Sequence, residues 1–299
     1  MKHIELKGII PPVITPMYED ESVNYDELRN QVNRLIEGGV HGIFPFGTNG
    51  EGYILTAEEK GKILETVIKE VDGRVPVYAG TGCISTRETI EMSRLAESLG
   101  ADVLSVITPS FAFASQEELY QHYKKVAESV KLPIVLYNIP ARTGNSLSPA
   151  TIGRLARIDN IVAAKDSSGN FNNILEYISA AQGEDFSVLS GNDALIIWTL
   201  LAGGTGGIAG CANVFPHTMA SIYDYYMEGE FDKAREANES IRTFRNCFRY
   251  GNPNTIVKAA VALLGYPVGK CRAPFCDVPE EGVEAIRKVL DECKEKGMC

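Results

Sequence analysis

The sequence predicts an α/β fold of the (β/α)8 TIM-barrel type, with a helical extension at its C-terminal end. Short apolar runs typical of buried strands alternate with amphipathic, helix-like stretches up to about residue 228. Eight strand–helix pairs follow one another without a linker, and eight strands that are each followed by a helix are typical of this barrel. A doubly wound open sheet is the alternative, but it usually has fewer strands.

The predicted strands are short, and most of them end in small or polar residues. They span residues 8–14, 41–46, 75–79, 102–107, 133–137, 160–164, 187–190 and 205–209. The predicted helices span residues 24–37, 56–71, 86–99, 115–130, 148–156, 170–182, 193–202 and 214–228. Ser115 and Glu118 have capping-box spacing, and Gly100 follows its helix as a C-cap residue does. Residues 138–147 form one of the longest irregular stretches.

The last part of the chain carries no strand signal and is predicted to form about three further helices. We therefore predict a barrel over residues 1–228 and C-terminal helices over residues 229–299. These helices are expected to pack on the barrel, so that the chain is a single structural unit.

The composition excludes several classes of function. The formal charge of -10, from 29 basic and 39 acidic residues, argues against a nucleic-acid-binding surface. No apolar run is long enough for a transmembrane helix, and the start of the chain has no signal-peptide pattern, so no membrane partner and a cytoplasmic location are expected.

Cysteine and histidine spacing predicts neither a disulfide framework nor a metal site. The seven cysteines are an odd number, and Cys271, Cys276, Cys293 and Cys299 lack zinc-finger spacing, so free thiols are expected. The four histidines form no metal-ligand pattern and no recognisable pair with a Ser or Cys nucleophile. They are His3, His41, His122 and His217.

Lys165 is the strongest chemical signal, because barrel enzymes place their chemistry at the C-terminal ends of the strands. It closes the apolar run "NIVAAK", and the alternation of side chains along a strand directs it away from Asp166. A lysine inside the barrel is partly desolvated, which favours the neutral amine that attacks a carbonyl to form a Schiff base. The alternative is a lysine that extends from the strand end to solvent.

Tyr137 and Arg142 follow the preceding strand. The Tyr137 phenol can reach the reaction centre of Lys165, since adjacent strands lie about 5 Å apart, and can move the protons that Schiff-base chemistry requires. Arg142 is suited to bind a carboxylate through two hydrogen bonds. The alternatives are a core tyrosine and a surface arginine.

Two glycine-rich segments are candidate ligand sites. Gly47, Thr48 and Asn49 belong to a turn whose donors suit a small carboxylate, although a plain strand–loop turn explains the glycines equally well. The segment 202–210, "AGGTGGIAG", is predicted to bring backbone close to a ligand; a phosphate site is its alternative. Gly191 and Ile208 complete the predicted substrate-binding residues.

With these residues identified, the chain resembles the dihydrodipicolinate synthase/N-acetylneuraminate lyase family of Schiff-base barrel enzymes. The shared motifs are ordered along nearly the whole chain: "GTNGE" at 47–51, "AGTG" at 79–82, "ITP" at 107–109, "YNIPARTG" at 137–144, "AAKDSSGN" at 163–170 and "SGNDA" at 190–194. The resemblance implies pyruvate bound as an imine on Lys165, with its carboxylate held by the "GTNGE" loop. It implies proton transfer by Tyr137 and Thr48, a homotetramer, and no cofactor or metal beyond the covalent imine.

The motif "YNIPARTG" resembles the synthase branch, in which an arginine at the position of Arg142 binds the carboxylate of the aldehyde. The predicted function is therefore condensation of pyruvate with aspartate semialdehyde by a class I lyase. Two departures leave the acceptor open: Asn49 replaces a threonine, and Ser110-Phe111 replaces a Tyr-Tyr pair whose second hydroxyl serves a neighbouring subunit. Either another group substitutes for that hydroxyl, or the acceptor is a different aldehyde.

Three alternative functions remain at this point. The first is aldol cleavage of a 2-keto-3-deoxy acid or of N-acetylneuraminate to pyruvate and an aldehyde. The second is a non-catalytic paralogue that binds a 2-oxo acid, and the absence of a hydroxyl on Phe111 is its support. The third is a phosphate-binding barrel isomerase, which predicts a phosphate ion at residues 203–210.

Overall fold

Seven short strands form one sheet in the computed structural model, which describes residues 6–298. The strands are β1 (Gly8–Ile10), β2 (Tyr78–Gly80), β3 (Val103–Ile107), β4 (Ile134–Asn138), β5 (Ile161–Asp166), β6 (Ser187–Ser190) and β7 (Gly206–Ile208). Their order is β1-β7-β6-β5-β4-β3-β2. Every pair of neighbours from β2 to β7 is parallel, as the alternation of strands and helices predicts. His3 and Cys299 lie outside the described residues.

Most helices occur where the apolar periodicity predicts them. Up to residue 228 they are α1 (Tyr25–Glu37), α2 (Ala57–Val71), α3 (Thr86–Leu99), α4 (Gln116–Ser129), α5 (Pro140–Thr143), α6 (Pro149–Leu155), α7 (Phe171–Ala180), α8 (Ile196–Leu201) and α9 (Pro216–Met227). After it come α10 (Phe231–Ser240), α11 (Arg242–Arg245), α12 (Pro253–Leu263) and α13 (Glu280–Glu295). Short 3₁₀ turns span Asp193–Leu195, Gly210–Asn213 and Asn246–Tyr250. Helix α5 lies within the stretch predicted as irregular, and Pro140 favours its start because a first-turn residue needs no N–H.

The predicted strand over residues 41–46 is an irregular extended segment rather than a regular strand. Its backbone nevertheless pairs with residues 9–13: the His41 amide donates to the Ile9 carbonyl and the Val13 amide donates to the Phe44 carbonyl. Prolines 11, 12 and 45 have no N–H, so a continuous ladder cannot form here. The same prolines explain why β1 ends at Ile10 instead of residue 14.

The chain divides into two compact units. Within the described residues, the first comprises residues 6–8 and 76–208, and its core is built by the buried side chains of β3, β4 and β5 and of the helices that follow them. The predicted capping box is confirmed, since the Ser115 amide donates to the Glu118 carboxylate and the Glu118 amide donates to the Ser115 hydroxyl. Gly100 ends α3 with φ 95°, a conformation that favours glycine.

The second unit comprises residues 9–75 and 209–298. Apolar faces of α1, α2, α9 and α12 form its core, in which Phe215 and Phe244 pack edge to face. Helices α10 to α13 all belong to this unit, which agrees with the predicted helical character of the last 70 residues or so. The predicted boundary at residue 228 stays a prediction. Within residues 6–298, no helix combines the length and apolarity needed to cross a membrane.

Candidate active site

Lys165 and Tyr137 lie side by side in the first unit. They are paired in register on β5 and β4, and both side chains are buried, with Lys165 only 3% exposed. The Lys165 ammonium nitrogen lies 3.8 Å from the centre of the Tyr137 ring. The structure therefore places the lysine inside the protein and not at the surface, with a phenol as its neighbour. This arrangement can present an amine and a proton-transfer group to one carbonyl substrate.

Asp166 points away from Lys165 and is committed to other partners. Its Oδ1 accepts hydrogen bonds from the side-chain amides of Asn138 and Asn173, each at 2.8 Å. Its Oδ2 accepts from the Ser168 hydroxyl at 2.6 Å. This buried carboxylate fixes the ends of β4 and β5, because each strand contributes one residue to the cluster. Asn138 and Asn173 are structural residues that the sequence analysis did not single out.

Gly191 provides the space beside Lys165. A Cβ atom at this position would lie 2.8 Å from Lys165 Cε and 1.9 Å from the Ser167 hydroxyl oxygen, so no larger residue fits without movement. These two distances place the Ser167 oxygen at most 4.7 Å from Lys165 Cε. Ser167 was missed from the sequence, although its position two residues after Lys165 predicts the same side of an extended chain.

Ile208 and the neighbouring glycines are packed against protein atoms. Ile208 is buried at the end of β7. A Cβ atom on Gly206 would lie 2.0 Å from the Gly8 carbonyl oxygen, and one on Gly207 would lie 2.6 Å from the Ile196 side chain. Close approach of protein to protein, rather than of backbone to a ligand, therefore explains these two glycines. The packing also disfavours a phosphate cradle at Gly206 and Gly207.

Arg142 lies in helix α5, and its side chain is exposed. The helix is anchored by Thr143, whose hydroxyl lies 2.8 Å from that of Thr108 after β3. Arg142 follows Tyr137 by five positions but belongs to the solvent-exposed surface of the first unit. A guanidinium in this position can bind a soluble anion without the cost of desolvating a buried charge.

The loop after β3 presents two aromatic rings to solvent. Phe111 is 97% exposed and has φ 80°, and Phe113 is 88% exposed. Asn145 holds the loop: its side-chain amide donates to the carbonyls of Pro109 and Ala112, and its oxygen accepts from the Ala114 amide. A positive φ at a non-glycine residue costs about 1–2 kcal/mol. The contacts of Asn145 therefore hold Phe111 in a backbone conformation that it would not adopt by itself.

Gly47, Thr48 and Asn49 lie in the second unit, in a tight turn. Thr48 and Asn49 are half-buried. A Cβ atom added at Gly47 would lie 3.2 Å from side-chain atoms of Phe44 and Pro12. At Gly50 an added Cβ would lie 2.7 Å from the Val13 carbonyl oxygen. Gly50 is therefore required by close backbone packing, whereas Gly47 faces only side-chain atoms. Thr48 and Asn49, between these two glycines, are the polar side chains of this part of the turn.

The described part of the chain contains no group of three His, Cys, Asp or Glu side chains arranged to hold a metal ion. Burial lowers the pKa of His122 to about 4, so this imidazole is neutral at physiological pH. Its Nδ1 lies 2.9 Å from the Thr86 hydroxyl. The six described cysteines are free thiols.

Comparisons with known proteins agree with the resemblance seen in the motifs. Residues 5–293 match the Dihydrodipicolinate synthetase family. The 4-hydroxy-tetrahydrodipicolinate synthase of Methanopyrus kandleri is 40% identical over 289 residues, which cover 96% of each chain.

Solved structures show the same fold. The chloride-inhibited dihydrodipicolinate synthase of Acinetobacter baumannii in complex with pyruvate is 35% identical, with a TM-score of 0.93 over 99% of this chain and 100% of that one. A monomeric dihydrodipicolinate synthase variant is 32% identical, with a TM-score of 0.93 over 98% of this chain and 97% of that one. The predicted (β/α)8 barrel with its C-terminal helices is confirmed. This chain belongs to the dihydrodipicolinate synthetase family, whose members are lyases that form a Schiff base on a lysine.

Proposed function

We propose that this chain condenses pyruvate with aspartate semialdehyde as a 4-hydroxy-tetrahydrodipicolinate synthase, with Lys165 as the Schiff-base lysine. The observation that carries the proposal is the buried amine of Lys165 against the ring of Tyr137. The relative from Methanopyrus kandleri bears this synthase name, and the solved Acinetobacter baumannii synthase binds pyruvate.

The proposed reaction begins with attack of the Lys165 amine on the C2 carbonyl of pyruvate. The carbinolamine loses water to give a protonated imine, and this imine acidifies the C3 protons because it withdraws electrons from C2. Loss of one C3 proton gives an enamine, whose carbon attacks the aldehyde to form the new carbon–carbon bond. Tyr137 donates and accepts the protons at the carbinolamine and at the aldehyde oxygen. The new bond leaves the product as an imine on Lys165, and the amino group of the former aspartate semialdehyde then attacks C2, displaces the Lys165 amine and closes the ring, which frees the enzyme. In this proposal the imine itself is the electron sink, so the reaction uses no cofactor.

The remaining site residues bind the substrates in this proposal. The pyruvate carboxylate is bound by the Thr48 hydroxyl and by the turn at Gly47 and Asn49. Thr48 also takes part in proton transfer. Gly191 leaves room for the imine beside Lys165, because a Cβ atom at this position would lie only 2.8 Å from Lys165 Cε. Ile208 contributes an apolar wall at the end of β7.

Arg142 is proposed to bind the carboxylate of the aldehyde. Replacing it with glutamine (Arg142→Gln) is expected to lower kcat/KM for aspartate semialdehyde by about 10- to 100-fold, the scale of one charge-assisted hydrogen-bonding group. The concentration of pyruvate that half-saturates imine formation should stay within about twofold, because pyruvate occupies a different position. Steady-state kinetics with each substrate varied in turn checks both numbers.

The acceptor is tested by giving the purified protein both substrate sets. Turnover of pyruvate with aspartate semialdehyde supports the synthase, and no turnover with that aldehyde rejects it. Cleavage of a 2-keto-3-deoxy acid or of N-acetylneuraminate would instead identify an aldolase, which the absence of a hydroxyl on Phe111 favours as the second candidate. A protein that binds pyruvate but turns over none of these substrates would be the non-catalytic paralogue.

The active form is proposed to be a homotetramer. The first unit exposes two separate sets of apolar side chains. One set lies near the starts of helices α3 and α4, which contact each other, and consists of Ile84, Phe111 and Phe113. The other set lies on helices α7 and α8, which also contact each other, and consists of Leu175, Trp198 and Leu201. Two different self-complementary surfaces are what a tetramer with dihedral symmetry requires. A mass near 130 kDa by light scattering, four times 32.6 kDa, is expected, and a monomer mass at micromolar concentration contradicts it.

We propose a cytoplasmic location for this enzyme. The six described cysteines form no disulfide, and the cytoplasm keeps thiols reduced.

A further inference from the structure

Helix α12 holds the "GTNGE" turn at two points. Asn254 and Lys258 lie one helical turn apart on this helix, and each is only 1% exposed. The Asn254 side-chain amide donates to the Thr48 carbonyl at 2.7 Å. The Lys258 ammonium lies 2.6 Å from the carboxylate of Glu51, which is fully buried. All these residues belong to the second unit.

Both members of this ion pair also contact backbone groups inside the protein. Lys258 also donates to the Lys270 carbonyl at 2.8 Å, and the second oxygen of Glu51 accepts from the Arg272 amide at 2.9 Å. A buried ion pair is retained at a cost in desolvation, and loss of either partner leaves an uncompensated charge. Lys258 is the one charged residue in the stretch "TIVKAAVALL", and because it is buried its charge serves no surface role.

The turn needs to be held, because its backbone is strained. Glu51 has φ 58° and Phe46 has φ 41°, which L-residues adopt only when the surroundings impose it. The Thr15 hydroxyl donates to the Gly50 carbonyl at 2.6 Å and fixes a third point. Glu51 and Thr48 flank Asn49, so the helix fixes the chain on both sides of the proposed carboxylate-binding residues.

We propose that Lys258 and Asn254 are positioning residues that act through Glu51 and the Thr48 carbonyl to hold the turn that binds the substrate carboxylate. The C-terminal helix α12 thereby sets the affinity for the 2-oxo acid without touching it. This inference rests on the proposed function, which assigns the carboxylate to Thr48 and Asn49.

The test compares four variants by borohydride trapping over a range of pyruvate concentrations. We expect Lys258→Met to raise the half-saturating pyruvate concentration by about 10- to 100-fold, and Asn254→Ala to raise it by about 3- to 10-fold. In both variants the trapping rate at saturating pyruvate should change by less than about threefold. Arg34→Met is the control, since it replaces a half-buried cation of the same unit with methionine and should leave both values within twofold. The double variant Glu51→Gln/Lys258→Met removes the unpaired charge and should recover part of the affinity lost in Lys258→Met.

Hydrogen exchange provides a readout that does not depend on pyruvate. The amides of residues 47–52 should exchange faster in Lys258→Met and Asn254→Ala, but not in Arg34→Met. If the unmodified protein forms no adduct with pyruvate, the proposed function fails, and exchange alone then decides whether the turn is held. Half-saturation within twofold of the unmodified protein, or an equal loss in Arg34→Met, overturns the inference. If Lys258→Met does not fold, Asn254→Ala carries the same test.

Discussion

Replacing Lys165 with methionine is expected to abolish turnover, with kcat falling on the order of 10⁴- to 10⁶-fold, the scale seen when the nucleophile of a covalent mechanism is removed. Methionine preserves the length and apolar stem of the side chain but cannot form an imine. The variant should still fold, because methionine fits the buried space of the lysine stem, which is only 3% exposed. Steady-state turnover and thermal unfolding measured on one preparation check both expectations.

Lys165→Arg is the companion variant. It keeps the positive charge beside the Tyr137 ring, but a guanidinium stays protonated at any physiological pH and is not a nucleophile. Both variants should therefore be equally inactive. Residual turnover above about one hundredth in Lys165→Arg would show that the charge, and not the imine, carries the catalysis.

Replacing Tyr137 with phenylalanine is expected to lower kcat by about 10²- to 10⁴-fold, which is the contribution of a positioned proton-transfer group. The ring under the Lys165 ammonium is retained, so the environment of the amine changes little. Imine formation should be slowed, since dehydration of the carbinolamine needs a proton, but the adduct on Lys165 should still form with time. Single-turnover trapping measured alongside steady-state turnover separates these two effects.

Tyr177→Phe is the control for Tyr137→Phe. Tyr177 is a buried tyrosine of the same unit whose hydroxyl donates to the Leu147 carbonyl at 2.6 Å. Its loss should reduce stability by about 1 kcal/mol and leave kcat within about twofold. An equal loss of kcat in both variants would show that Tyr137 has a structural role and no role in proton transfer.

Local patterns were sufficient to predict the barrel and the central pair of residues. The alternation of side chains along β5 predicts that Lys165 and Asp166 point in opposite directions, and the hydrogen bonds of Asp166 agree. The position of Tyr137 on the preceding strand predicts its place beside Lys165, and the strand register confirms that placement. Their catalytic roles stay predictions until adduct formation is measured.

Other features depend on contacts between distant parts of the chain, which local patterns do not encode. Gly206 looked like part of a ligand loop, but its missing side chain admits the carbonyl of Gly8, about 200 positions earlier in the sequence. The sequence predicts no role for Glu51, because its partner Lys258 lies on a helix more than 200 residues later. A lysine in an apolar helical stretch was the available signal for that pair.

Borohydride reduction in the presence of pyruvate, followed by mass spectrometry of peptides, tests the central claim most directly. We expect a reduced pyruvate adduct on Lys165 and on no other lysine, formed faster in the unmodified protein than in Tyr137→Phe. Folded protein that carries no adduct on Lys165 at high pyruvate concentration would contradict the account, because no Schiff base would then form on the buried lysine.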